Sequence, residues 1–119
     1  MKDLTTQDYA KLLKEVKSFL SISWEDEDID NSLKGYITSS IARLDDIAGV
    51  ELDYIHNSKE DYEMQSNQYF SASMLAQDLL KNRVFYQNEK GLDDFEKNYR
   101  GELMSLYLLG KTIRCNDAY

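Results

Sequence analysis

The sequence predicts an all-α fold, a small bundle of about four helices with a long polar connection between the second and third. Proline is absent and glycine occurs only five times in 119 residues, so the chain lacks the breakers that a many-stranded sheet needs at its turns. Apolar residues also recur at helical spacing through most of the chain. The clearest case is 26–49, where Ile29, Leu33, Tyr36, Ile37, Ile41, Leu44 and Ile47 fall on one stripe opposite Lys34, Thr38, Asp45 and Asp46. Asp26, Glu27 and Asp28 sit at the end where the helix dipole is positive, and Gly49 is placed for a left-handed cap.

The first helix is expected over 7–20, capped by Thr5 with Asp8 three residues on, an imperfect capping box. Tyr9, Leu12, Leu13, Val16, Phe19 and Leu20 make its inner face, and Ile22 and Trp24 pin the short connection that follows. The second helix is 26–49. Beyond it, Val50, Leu52 and Tyr54 alternate with Glu51 and Asp53, which predicts a short extended piece. Residues 57–68 are then strongly polar, and Ser58 to Asp61 suit one capped helical turn.

The third helix is expected over 69–87, with Tyr69, Ala72, Leu75, Ala76, Leu79, Leu80, Val84 and Tyr86 on a broad stripe. Phe70, Met74 and Phe85 lie on its other side, so this helix is either central in the bundle or covered by another chain. A turn at 88–91 leads to the fourth helix over 93–109, with Phe95, Tyr99, Leu103, Leu106 and Tyr107 inward and Gly110 as its stop. Residues 1–110 thus form a single helical domain and 111–119 a flexible C-terminal tail.

Composition narrows the function. A net charge of −8 opposes binding to a nucleic-acid backbone, whose affinity comes from lysine and arginine displacing counterions. Cys115 is the only cysteine, which rules out an intrachain disulfide and a thiolate zinc cage. The start of the chain has no apolar signal core, and the longest apolar run, 106–109, is too short for a membrane span, so synthesis in a reducing cytoplasm is expected. The acids of 26–31 imitate the opening of a calcium loop, but Asn31 and Ile37 stand where that motif needs glycine and a bidentate glutamate. His56, the single histidine, is read as a loop residue with no special role. No catalytic centre, cofactor or metal site is predicted.

The surplus aromatic and apolar residues point instead to an interface. Tyrosine brings a large contact area at low entropy cost. Tyr54, Tyr62, Phe70, Met74, Phe85, Met104 and Leu108 are the interface residues the sequence selects.

The helical frame resembles the head-tail connector (adaptor, or head-completion) proteins of tailed bacteriophages. The similar pieces are Leu4-Thr5-Thr6 leading into Lys14-Glu15-Val16-Lys17-Ser18-Phe19-Leu20-Ser21-Ile22, the acidic stretch 24–30 before Leu33, Ile37 and Ile41, and Asp46-Ile47-Ala48-Gly49. Residues 76–86, ending in Arg83-Val84-Phe85-Tyr86, are similar to that family's third helix and 95–109 to its last. The resemblance spans most of the chain and rests on hydrophobic patterns. It implies a non-enzymatic subunit, made in the host bacterial cytoplasm and found in the virion. Copies of it would form a ring below the portal protein, extend the DNA channel and dock a stopper or tail-completion protein. DNA would pass without sequence-specific binding, and an acidic lumen would repel its backbone. The alternative from another class is an acidic helical regulator or inhibitor that binds a basic protein.

Overall fold

The structure is a computed structural model, and it describes residues 4–62 and 66–117. The described residues contain five α-helices and no strand: α1 (Thr6–Phe19), α2 (Glu27–Ala48), α3 (Asn67–Glu89), α4 (Leu92–Asn98) and α5 (Arg100–Asp117), with one 3-10 turn at Lys59–Tyr62. The all-α expectation holds, with five helices where about four were expected.

Capping chemistry sets the helix starts. The Thr5 hydroxyl accepts the Asp8 amide at 3.0 Å, and the Asp8 carboxylate accepts the Thr5 amide at 3.0 Å. At α2 the Asp26 carboxylate accepts the amides of Asp28 and Ile29 at 2.9 and 3.2 Å, so this acid serves the helix end. The ends are as specific. Gly49 closes α2 at φ 73°, as its position predicts. Ser21 closes α1 at φ 61°, where its amide bonds the Ser18 carbonyl and the Ile22 amide bonds Lys17, the paired bonds of a Schellman turn.

α3 is the central helix: it packs on α1, α2, α4 and α5, while α2 also meets α1 and α5. That answers why it needs two apolar faces. Between the helices lie Leu12 and Val16 of α1, Leu33, Ile37, Ile41 and Leu44 of α2, and Ala76, Leu79, Leu80 and Val84 of α3. Phe95 of α4 and Leu106 of α5 complete the centre. Leu13 only packs against this core from its edge, and Phe19 and Tyr107, expected inside, are exposed.

The C-terminal third departs from the sequence reading. The single helix expected over 93–109 breaks at Tyr99, whose ring stacks on Phe95 with centroids 4.9 Å apart and whose hydroxyl donates to Asn82 at 2.9 Å. At the turn the Tyr99 ring also meets Tyr86 of α3 edge-on, with centroids 5.8 Å apart. Gly110 does not stop the next helix. It lies inside α5, where the absence of a side chain lets the backbone approach that of Ala48 in α2. The flexible tail expected from 111 is correspondingly helical through Asp117, because Ile113 is buried in the core and holds the last turns down. Residues 118–119 lie outside the described residues.

Candidate functional site

The long connection after α2 is tied down by polar contacts. Asp45, placed by the sequence on the outer face of α2, turns inward: its carboxylate accepts the Leu52 amide at 3.1 Å and the Tyr54 hydroxyl at 2.7 Å. Burial lifts its pKa above the usual value near 3.8, against the pull of those two donors. Burial and the neighbouring Asp45 carboxylate push the Tyr54 phenol up as well, so it stays a neutral donor. Downstream, Gln77 of α3 donates to the carbonyls of Asp53 and His56 at 3.1 and 2.8 Å, and Ser73 accepts the Asp53 amide at 3.2 Å. Lys11 of α1 reaches the Ile55 carbonyl at 2.8 Å. No strand forms at Val50, Leu52 and Tyr54, but the predicted alternation survives as burial, with Leu52 and Tyr54 inside and Glu51 outside.

His56 has a partner that the sequence reading did not supply. Its Nδ1 lies 2.9 Å from Asp53 Oδ2, while Asp53 Oδ1 accepts the Ile55 and His56 amides. Burial alone would raise the Asp53 pKa, but the Ile55 amide, the nearby Tyr62 hydroxyl and the His56 amide and ring outweigh it and hold the carboxyl below its ordinary value. The carboxylate is committed to shaping a turn. Among the described residues, no group of three or more His, Cys, Asp or Glu is arranged to hold a metal ion.

The seven selected interface residues separate into three groups. Tyr54 and Tyr62 are buried within the chain at 3% and 5% exposure and are not surface anchors. Tyr62 donates to the His56 carbonyl at 2.7 Å and closes the connection over α3. Phe70, Met74 and Phe85 are half-buried, since Tyr62 meets the Phe70 ring edge-on at 5.0 Å and Tyr86 meets Phe85 at 5.7 Å. Met104 and Leu108 are open to solvent at 55% and 52%, and Tyr107 between them is exposed too. A helical spacing of three and four residues puts the three on one side of α5.

Beside that strip lies an open groove of about 660 Å³, formed by the C-terminal part of α2, by α4 and by the start of α5. Ile47, Leu103, Met104 and Tyr107 give it an apolar lining, and Arg43, Lys97 and Arg100 line it with cations. Arg43 is held at 2.9 Å by Glu96 of α4. At the other end of α2, Trp24 is 55% exposed and is followed by the exposed acids Glu25, Asp26, Glu27 and Asp28.

A buried polar contact was also missed in the sequence. Arg83 of α3 donates through one guanidinium nitrogen to Ser40 at 2.8 Å and to Ser39 at 3.3 Å on α2. Burial lowers its pKa, and Nε has no hydrogen-bond partner among the described residues. The signal was present: Ser40 interrupts the apolar stripe of α2, and Arg83 sits among the buried stripe residues of α3.

Comparison with family models, with curated proteins and with solved structures finds no match to this chain. No helix of the described residues is long and apolar enough to cross a membrane.

Proposed function

We propose that this chain is a structural, non-enzymatic subunit of a bacteriophage head-tail connector. It assembles as a ring below the portal, continues the DNA channel and offers a docking surface to the next head-completion or tail protein. The observation that carries the reading is the apolar strip Met104, Tyr107 and Leu108, exposed on a helix whose opposite side is anchored by Leu106 and Ile113. Clusters of this kind on an ordered surface mark contacts with other proteins. The resemblance of the helical frame to connector proteins supplies the setting. The net charge of −8 is compatible with a channel that DNA passes without sticking.

The test combines the purified protein with a portal protein and images the mixture by negative stain. Ring-shaped co-assemblies are expected, and changing Met104 and Leu108 to serine should reduce them while leaving the helical circular-dichroism signal unchanged. Failure of the wild-type chain to join a portal at any concentration would overturn the reading. The exposed acids at the start of α2 favour one second reading, an acidic regulator of a basic protein, which predicts a discrete complex with that partner and no ring.

A further inference from the structure

We infer that the groove between α2, α4 and α5 receives the Trp24 to Asp28 segment of a second copy of this chain, giving a head-to-tail contact. The inference deepens the connector reading and rests on its premise that copies of the chain assemble.

Charge complementarity selects the occupant. The chain as a whole carries −8, yet the groove lining carries three cations against two carboxylates, and because Arg43 and Glu96 pair with each other, Lys97 and Arg100 are left against Asp93. Lys97 and Arg100 form no ion pair among the described residues. This locally basic site on an acidic molecule suits an acidic segment. The segment 24–28 supplies four consecutive carboxylates, of which Asp26 is occupied in capping α2, and it carries the exposed indole of Trp24 beside them. An acidic run with a neighbouring aromatic matches a cationic rim around an apolar floor of Ile47, Leu103, Met104 and Tyr107.

The two surfaces cannot meet within one chain. Both are tied to α2, the acidic segment at its start and the groove at Arg43 and Ile47 near its end. With about 1.5 Å of rise per residue, that places them roughly 30 Å apart along a continuous helix. The segment of one copy therefore reaches the groove of another. Because the joined patches differ, the contact is heterologous, and repeated copies close into a ring or continue as a filament.

A charge swap tests this directly by sedimentation velocity on the full chain at low salt. One variant carries Lys97→Glu with Arg100→Glu, a second carries Glu25→Lys with Glu27→Lys, and a third combines all four. These residues are exposed, and thermal melts followed by circular dichroism check that each variant folds. The first two should each weaken self-association by about tenfold or more, since each sets like charges face to face. The combined variant should recover it, because both sides of the contact are then reversed. Trp24→Ala should weaken association as the single-sided swaps do, whereas Trp24→Phe should retain most of it. Single-sided variants that associate like wild type, a combined variant that does not recover, or a wild type that stays monomeric would each overturn the inference. The two readings fail separately: a wild-type chain that joins the portal while the single-sided swaps associate like wild type keeps the connector reading and removes this contact, whereas a chain that self-associates through this contact but joins no portal does the reverse.

Discussion

Replacing Gly110 by alanine should damage this protein, although alanine is the better helix former. A Cβ built at this position lies 2.0 Å from the Ala48 carbonyl oxygen and 2.7 Å from its Cα and carbonyl carbon, all backbone atoms that no rotamer change can clear. Ordinary contact begins near 3.4 Å, so α5 and α2 would have to separate by about 1.4 Å. A gap of that order forfeits roughly half of the dispersion energy across the crossing. The residues exposed to the loss are Leu106 and Ile113, both buried on α5. Overpacking of this kind costs about 1 to 3 kcal/mol and more where backbone must move, while the gain in helix propensity returns about 1 kcal/mol. A net loss of up to about 2 kcal/mol follows, and more where the backbone shift is not absorbed, so Tm falls by up to roughly 10 °C for a chain of this size. Urea titration followed by far-ultraviolet circular dichroism measures it. Gly35→Ala and Gly101→Ala serve as controls, because neither added Cβ meets any atom within 4 Å. Each of those should stabilise the helix it sits in by up to about 1 kcal/mol. Equal or greater stability of Gly110→Ala relative to wild type would show that the close crossing is wrong.

Ser21→Gly should raise stability by about 1 kcal/mol in the same titration, because a serine holds the left-handed position that ends α1 and glycine adopts it without steric cost. Asp45→Asn and Asp53→Asn should respond to pH in opposite senses: the raised Asp45 pKa gives stability that is full below about 3.8 and lost as pH rises through the folded value, and the lowered Asp53 pKa gives stability that is full above about 3.8 and lost as pH falls through the folded value. Measured against wild type from pH 3 to 7, Asp45→Asn should therefore gain ground as pH rises and Asp53→Asn lose it, and parallel curves would refute both assignments.

The helix ends that sequence located were those with their own chemistry. Thr5 with Asp8, Asp26 and Gly49 each act within four residues of chain, so a local reading found them. The misses are all tertiary. Glycine after an apolar run reads as a stop, yet Gly110 is needed for a close crossing with Ala48, more than sixty positions earlier. The break at Tyr99 has no proline to announce it, Gly101 two residues on lies inside α5, and the turn coincides with the Tyr99 ring's contacts with Phe95 and Asn82. Asp45 reads as a solvent-facing acid by helical spacing, and only the return of Leu52 and Tyr54 gives it two donors. The interface residues divide for the same reason. Tyr54 and Tyr62 looked surplus to one small core because the sequence could not show a loop that folds back and buries them. Met104 and Leu108 strayed from the stripe of their own helix, a purely local signal, and they are the two selected residues most open to solvent.

The Gly110 crossing also links stability to assembly. Ile47 lies on α2 beside Ala48, and Leu103, Met104 and Tyr107 lie on α5 within two turns before Gly110, so the approach of the two backbones sets the spacing of the groove's apolar lining. Opening that crossing moves one wall relative to the other without touching any charge on the rim. A chain with Gly110→Ala that remains folded at low temperature should then associate more weakly than its residual stability alone would explain. Gly35→Ala and Gly101→Ala, with no such crossing, should leave the groove spacing as it is. The groove is in this sense a product of bundle packing, and its spacing depends on a residue that does not line it.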